Sequence, residues 1–111
     1  MATNTYKNAA SNLTATTEFT VYTVPASTTA ILRSIFCTNT SVTADTQVSV
    51  YWFDSSHSNA KYFLLNQSNV QRSSALETIS NSFVLEAGDI LACSSTTANF
   101  INITASILEV S

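Results

Sequence analysis

The stretch FINITASILEV, from Phe100 to Val110, alternates apolar and polar side chains with a period of two. One side of an extended chain would carry Ile101, Ile103, Ala105 and Ile107, and the other would carry Asn102, Thr104 and Ser106. This alternation predicts a β-strand with one buried face and one exposed face. No segment of the chain sustains the apolar spacing of a helix over ten or more positions.

Similar runs of β-branched and aromatic residues recur along the chain, bounded by Ser, Thr, Asn or Asp. The further predicted strands are residues 19–24, 28–39, 47–53, 61–65, 82–85 and 89–94. A polar stretch, 66–74, follows the strand at 61–65. The segment 71–79 is either a helical turn or, as we favour, a loop leading into a weak strand. Strands without helical spacers predict an antiparallel sandwich or barrel of about eight short strands.

The 111 residues amount to a single domain, since no internal repeat, linker or boundary is visible. Residues 1–12 are polar apart from Tyr6 and form either an N-terminal arm that reaches a neighbour or an edge strand. The first residues lack the basic and apolar regions of a signal peptide, so we expect synthesis in a cytosol. No apolar run is long enough for a transmembrane helix, so no membrane partner is expected.

Charged residues make up only 10% of the chain, and Ser, Thr and Asn fill 44 of its 111 positions. The net charge is −3, and the four cations, Lys7, Arg33, Lys61 and Arg72, are spread along the sequence. Phosphate binding needs a basic patch, so nucleic acid is not an expected partner. A surface with so little charge is poorly protected against association. We therefore expect other protein subunits to cover much of it.

The chain has one glycine, so its turns must use other residues. Gly88, between two apolar runs, predicts a tight turn with positive φ. Asn and Asp tolerate the left-handed region best after glycine. The predicted left-handed turn residues are therefore Asn39, Asp45, Asp54, Asn59, Asn66, Asn81 and Asn99.

The residues that catalysis or metal binding would need are scarce. His57, the one histidine, lies near Asp54 among serines, but this segment is a polar turn without a nucleophile elbow. Cys37 and Cys93 are 56 positions apart and are interpreted as buried thiols, with a disulfide as the alternative. Glu86 and Asp89 flank Gly88 and are interpreted as turn residues rather than cation ligands. The sequence predicts no enzyme, metal site or cofactor.

Two strands are apolar on both faces. Trp52 is predicted to face the core with Val48 and Val50, which leaves Tyr51 and Phe53 on the opposite face. Either a partner covers them, or both faces of the sheet are buried within one chain. The strand at 28–39 is similarly two-faced, which favours oligomerisation. The candidate interface residues are Tyr6, Lys7, Tyr51 and Phe53.

Several stretches resemble small β-sandwich virion proteins of tailed bacteriophages. They are 6–9 (YKNA), 21–26 (VYTVPA), 29–35 (TAILRSI), 38–39 (TN), the strand ending at Trp52, 85–91 (LEAGDIL) and 106–109 (SILE). The resemblance covers nearly the whole chain, but its motifs belong to strands and turns. These proteins usually have glycine after Val-Pro-Ala, where this chain has Ser27.

The resemblance implies a jelly-roll-like sandwich that assembles as a homotrimer on the virion. It also implies a capsid decoration (cement) protein, made in the host bacterial cytoplasm. Such a protein binds the outer surface of the major capsid protein lattice and stabilises it. A tail- or fibre-associated module for recognition of the host surface is the alternative. The resemblance transfers no individual functional residue.

Overall fold

The computed structural model describes residues 3–77 and 82–111. Within these ranges the chain forms nine β-strands and one 3-10 turn, without an α-helix. The strands are β1 (Asn4–Asn12), β2 (Phe19–Thr23), β3 (Thr29–Asn39), β4 (Thr46–Asp54), β5 (Ala60–Val70), β6 (Ala75–Glu77), β7 (Phe83–Leu85), β8 (Ile90–Ser95) and β9 (Ile101–Val110). The 3-10 turn spans Ser55–His57. The all-β prediction is confirmed.

The strands form two antiparallel sheets that pack face to face. The first sheet has the order β1-β9-β3-β6, with β7 also paired to β3, and the second has the order β2-β8-β4-β5. Successive strands cross repeatedly from one sheet to the other, as in a jelly roll. The sandwich prediction is therefore confirmed, and the barrel alternative is wrong.

The inward sides of both sheets form one apolar core. Ile101, Ile103, Ala105 and Ile107 of β9 are all buried, and the polar residues between them are exposed. Val48 and Val50 of β4 are fully buried in the opposite sheet, and the Trp52 ring packs against Phe83 of the first sheet. The period-two pattern of β9 and the inward orientation of Trp52 are both confirmed. None of the described residues belongs to a helix of the length and apolarity that crossing a membrane requires.

A β-bulge changes the interpretation of β3. The pairing of β3 with β9 shifts between Leu32 and Ser34. Because one extra residue reverses the side-chain alternation, Leu32 before the shift and Ile35 and Cys37 after it all point into the core. Much of the apolar content that seemed to lie on two faces of this strand therefore lies on one. Ile31 and Phe36 remain on the outer face, where Phe36 is 41% exposed.

One predicted strand boundary was wrong, and one open alternative is decided in the described residues. The strand predicted at 61–65 continues to Val70, because the polar residues from Asn66 onward keep pairing with β4 across register shifts. The polar side chains in this part of β5 fit the position of the strand at the edge of the second sheet. In the segment 71–79 the structure shows turns followed by the short strand β6, as favoured, while Thr78 and Ile79 lie outside the described residues.

The turns use serine more often than predicted. Gly88 has a φ of +86°, and Asn59 and Asn99 are also left-handed, which confirms three predictions. Asn39, Asp45, Asp54 and Asn66 are not left-handed, and Asn81 lies outside the described residues. Among the described residues, the others that are left-handed are Ser27, Ser58, Gln67 and Ser73. The turn after Val-Pro-Ala thus adopts, at Ser27, a conformation that favours glycine.

The two ends of the described chain lie side by side. The backbone N–H of Thr3 donates to the carbonyl of Ser111 at 2.7 Å, and the N–H of Ser111 donates to the carbonyl of Thr3 at 3.0 Å. From this pair, β1 runs antiparallel to β9 in unbroken register as far as Asn12. β1 is therefore an edge strand of the first sheet.

Candidate interaction surface

The outer face of the first sheet carries a row of apolar side chains across four strands. Tyr6 of β1 lies opposite Leu108 of β9, Leu108 opposite Ile31 of β3, and Ile31 opposite Val84 of β7. We call these four residues the apolar row. Tyr6 is 76% exposed and Val84 is 55% exposed, while Leu108 and Ile31 are partly buried. Contiguous exposed apolar side chains of this kind indicate a contact surface.

The rest of this outer face is largely uncharged. Its other outward positions are mostly Asn, Ser and Thr from β1, β9 and β3, together with Ala10, Phe36, Ala75 and Val110. In the strands that the structure describes, Glu77 lies among these positions at the β6 edge, and Arg33 lies in the β3 bulge. These two opposite charges make the face neutral overall. The face thus combines an apolar row near one end of the strands with largely uncharged polar surroundings, and protein interfaces likewise combine an apolar core with a polar rim.

The four predicted interface residues do not form one surface. Tyr6 belongs to the apolar row, whereas Tyr51 and Phe53 lie on the outer side of the opposite sheet. The Lys7 side chain is on the inner side of β1, where its Nζ lies 3.2 Å from Oε1 of Glu109. Sequence reasoning missed Leu108, Ile31 and Val84, because only the register across strands brings them beside Tyr6.

The second sheet covers Tyr51, an aromatic residue on its outer side. Tyr51 is 3% exposed, and its hydroxyl donates a 2.8 Å hydrogen bond to Oε1 of Glu18. Its ring packs against Phe53 and Phe63, and Nζ of Lys61 lies 3.9 Å from the ring centroid. Of the two alternatives given for Tyr51, cover by a partner and burial within one chain, the second therefore applies. Phe53 is partly buried.

The surroundings of Tyr51 also affect its ionisation. Burial, together with the hydrogen bond to Glu18, raises the pKa of Tyr51 to about 12. Both effects favour the neutral phenol, because a phenolate would be poorly solvated and next to a carboxylate. Tyr51 is thus held as a neutral hydrogen-bond donor on this face.

Glu109 connects three strands at one end of the sandwich. It is 8% exposed on the inner side of β9, where it accepts a hydrogen bond from the Tyr22 hydroxyl and pairs with Lys7. The hydrogen bond from Tyr22 lowers the pKa of Glu109, and Lys7 adds to the effect. Burial and the same hydrogen bond raise the pKa of Tyr22. The three side chains form a polar link between the sheets.

The His57 segment has the geometry of a turn. Nδ1 of His57 lies 2.6 Å from Oδ2 of Asp54, while Oδ1 of Asp54 accepts hydrogen bonds from the N–H and hydroxyl of Ser56. The Ser56 hydroxyl lies nearest the same ring nitrogen, Nδ1, at 3.3 Å. A Ser-His-Asp triad instead places serine and carboxylate at opposite ring nitrogens. These contacts cap the 3-10 turn, and the hydrogen bonds from Ser56 and His57 lower the pKa of Asp54.

Asp89 fixes the turn around Gly88. It is 1% exposed, and its carboxylate accepts from the N–H and hydroxyl of Ser55 at 2.9 and 2.8 Å, and from the N–H of Glu86 at 2.9 Å. Three protein donors thus occupy the carboxylate, as expected for a turn residue. Elsewhere in 3–77 and 82–111, no group of three or more His, Cys, Asp or Glu is arranged to hold a metal ion.

The two cysteines lie in the core. Cys37 of β3 and Cys93 of β8 are both fully buried, as the thiol interpretation expected. Burial and the proximity of Cys37 raise the pKa of the Cys93 thiol to about 12. A thiol with so high a pKa is a poor nucleophile near neutral pH.

Comparison with known proteins shows a shared fold. No protein-family model matches the sequence, and no curated protein sequence matches it. A chain from the acidic stable capsid structure of Helicobacter pylori bacteriophage KHP30 is similar over 100% of this chain and 94% of its own length, with a TM-score of 0.57 and 11% identity.

Two further solved structures have this fold. A chain from Bacillus endospore appendages, described as disulfide-linked pili, matches 99% of this chain and 88% of its own, with a TM-score of 0.53 and 13% identity. A chain from the virus-like particle of Macrobrachium rosenbergii extra small virus matches 98% and 79%, with a TM-score of 0.53 and 9% identity. The fold therefore occurs in chains from capsids and from a pilus.

Proposed function

We propose that this protein is a structural component of a virus particle and contacts neighbouring subunits through the outer face of its first sheet. The observation that carries the proposal is the apolar row, which no described part of the chain covers. On the other sheet Tyr51 is buried under side chains of its own chain, and the exposed rings of Tyr62 and Phe63 lie on the edge strand β5. The fold likeness to chains from two virus particles supports the same role.

In the more specific form of the proposal, the protein decorates the capsid and its partner is the major capsid protein. A neutral outer face suits this role, because apolar and hydroxyl contacts are insensitive to salt, whereas exposed charges are screened. Binding that involves only the folded state also stabilises the protein by mass action. The protein is then located on the outer surface of the virion.

A tail- or fibre-associated module is the second candidate. The observation that favours it is the edge strand β5, where Phe63 on the outer side is 49% exposed and Tyr62, on the opposite side beside Trp52, is 46% exposed. Exposed rings beside hydroxyl-bearing side chains suit recognition of a host surface. This candidate function assigns the contact to the second sheet and not to the apolar row.

Labelling the protein on purified particles in electron micrographs separates the two candidates. Dense labelling of the head supports decoration, and label confined to the tail supports the second candidate. Particles that carry no label would overturn the virion role altogether.

A binding experiment with particles that lack the protein tests the contact face. Val84→Asp places a charge in the apolar row, and we expect it to weaken co-sedimentation with the particles at least tenfold. Val42→Asp is the matched control, because Val42 is 74% exposed in a loop outside the outer face. Equal binding by both variants would contradict the assignment of the face.

A further inference from the structure

β1 is the unprotected edge of this sandwich. Proteins usually protect edge strands by bulges, by shortness or by charge. In the described part of the chain, β6 and β7 have three residues each, and the pairing of β2 and of β5 shifts in register. β1 instead runs for nine residues in unbroken register. A long, regular edge of this kind is a template for another strand.

The pairing with β9 decides which backbone groups of β1 face outward. Thr3 exchanges both hydrogen bonds with Ser111, and hydrogen-bonded pairs alternate along an antiparallel ladder. The odd-numbered residues of β1 therefore bond to β9. The residues that direct their N–H and C=O groups to the open edge are Asn4, Tyr6, Asn8, Ala10 and Asn12.

This edge is complementary to itself. When a second β1 runs antiparallel with Asn8 opposite Asn8, all five outward-bonding residues align in hydrogen-bonded pairs over the whole strand. Asn4 then lies opposite Asn12, and the large Tyr6 lies opposite the small Ala10. Centring the pair on Tyr6 or Ala10 leaves part of each strand unpaired. The Asn8 register is the one that uses the full edge.

The charge on this strand does not block the pairing. Lysine on an edge strand normally keeps other chains away. Lys7, however, pairs with Glu109 of its own chain at 3.2 Å, which neutralises it. In the Asn8 register Lys7 faces Ala9 of the other copy, so no two like charges are directly opposite.

We propose that β1 binds β1 of a second copy of this chain, in an antiparallel, two-fold pair centred on Asn8. The pair joins two first sheets into one continuous sheet and places the outer faces of both copies side by side. This assembly differs from the trimer that the sequence resemblance implies. It does not depend on the proposed virion role, because the isolated protein is expected to form it.

Introduced cysteines test the register. Asn8→Cys brings two thiols to a Cα separation of about 5.5 Å, within reach of a disulfide. Asn4→Cys and Asn12→Cys each hold identical thiols roughly 27 Å apart, at about 3.4 Å per residue. We expect mild oxidation to cross-link Asn8→Cys into a covalent dimer, to leave Asn4→Cys and Asn12→Cys each without a cross-link, and to cross-link these two variants when they are mixed. The native thiols are fully buried and do not interfere.

Asn102→Cys serves as the control for contact through the face, because Asn102 is exposed on the outer side of β9. If this variant cross-links as fast as Asn8→Cys, pairing through the edge is overturned. Cross-linking of Asn4→Cys with itself would likewise overturn the register.

Proline gives a second, independent test. The N–H of Asn8 faces the open edge, so Asn8→Pro removes no bond to β9 and is compatible with an edge strand. We expect at least tenfold weaker dimerisation in sedimentation velocity, and an unchanged Tm at concentrations low enough for the wild type to be monomeric. Ala9→Pro removes an N–H that bonds to β9, so it should lower the Tm instead. A wild-type protein that is monomeric at all concentrations, or trimeric, would overturn the proposal.

Discussion

The Tyr22 hydroxyl of the second sheet donates a hydrogen bond to the Glu109 carboxylate of the first, 87 residues away in the sequence. This bond crosses the sandwich at an end where the core gives way to polar side chains. It gives a hydrogen-bond donor to the carboxylate of Glu109, a residue that is only 8% exposed. A buried acceptor that loses its donor is costly, so this contact matters for stability.

Tyr22→Phe is expected to lower the free energy of unfolding by about 1 to 3 kcal/mol, because Glu109 loses a donor. Urea denaturation at pH 7 measures the change. Tyr62→Phe is the control, since Tyr62 is 46% exposed and its hydroxyl can bond to water. A loss of equal size in the control would contradict the role of the bond.

Stability should fall on the acid side. The pKa values of Glu109 and Asp54 are lowered from their ordinary 4.5 and 3.8 by the hydrogen bonds that they accept. A lowered folded-state pKa stabilises the fold at pH above the ordinary value, and the stabilisation disappears as the pH falls through the lowered one. Urea midpoints measured from pH 7 to pH 2 should therefore decrease below about pH 5. Glu109→Gln should flatten this decrease, and an identical slope in the variant would contradict the prediction.

Gly88→Ala should lower the free energy of unfolding by about 1 to 3 kcal/mol, because alanine is strained at positive φ. The φ of Gly88 is +86°, and an added Cβ would lie 3.2 Å from Oγ of Ser55. Thermal denaturation measures the change. Ala87→Gly is the control, because it alters the neighbouring position without this strain. Equal stabilities for Gly88→Ala and the wild type would contradict the turn geometry.

Ser27→Gly should have the opposite effect. Ser27 has a φ of +59°, so glycine relieves strain there and is expected to raise the free energy of unfolding by about 0.5 to 1 kcal/mol. Ser106→Gly in the middle of β9 relieves no strain and should lower it by a similar amount. Urea denaturation of both variants measures the free energy of unfolding. A value for Ser27→Gly that is no higher than the value for Ser106→Gly would contradict the prediction.

Asp89→Asn should be destabilising by about 1 to 3 kcal/mol, because an amide nitrogen then meets a backbone donor in a buried site. The carboxylate accepts from both Ser55 and Glu86, and one amide oxygen cannot replace its two oxygens. Glu86→Gln, on an exposed side chain of the same turn, provides the comparison. Equal urea midpoints for the two variants would argue against this function of Asp89.

The sequence predicted best where local pattern and burial agree. β9 lies between β1 and β3 with one face in the core, so its alternation appears directly in the sequence. Gly88 was equally informative, because a glycine between two apolar runs is typical of a tight turn with positive φ. The bulge in β3 was not predicted, because apolar residues occupy both odd and even positions of this strand and leave no regular alternation for the bulge to interrupt.

The proposed contact surface was less predictable than the fold. The sequence pattern indicates that Tyr6 is exposed, but Leu108, Ile31 and Val84 join it only through the pairing of three further strands. The sequence could not decide whether a partner or its own chain covers Tyr51, because the cover comes from Glu18 and Lys61, and Glu18 is 33 residues away. Contacts at such separations depend on topology, which a local pattern does not contain.

The pairing of Thr3 with Ser111 has a mechanical consequence. A force that pulls these two residues apart acts perpendicular to β1 and β9, along the hydrogen bonds that join them. The hydrogen-bonded pairs between β1 and β9 then break one after another, instead of bearing the force together. Tension applied at these ends should therefore peel β1 away at low force, while the other strands remain folded.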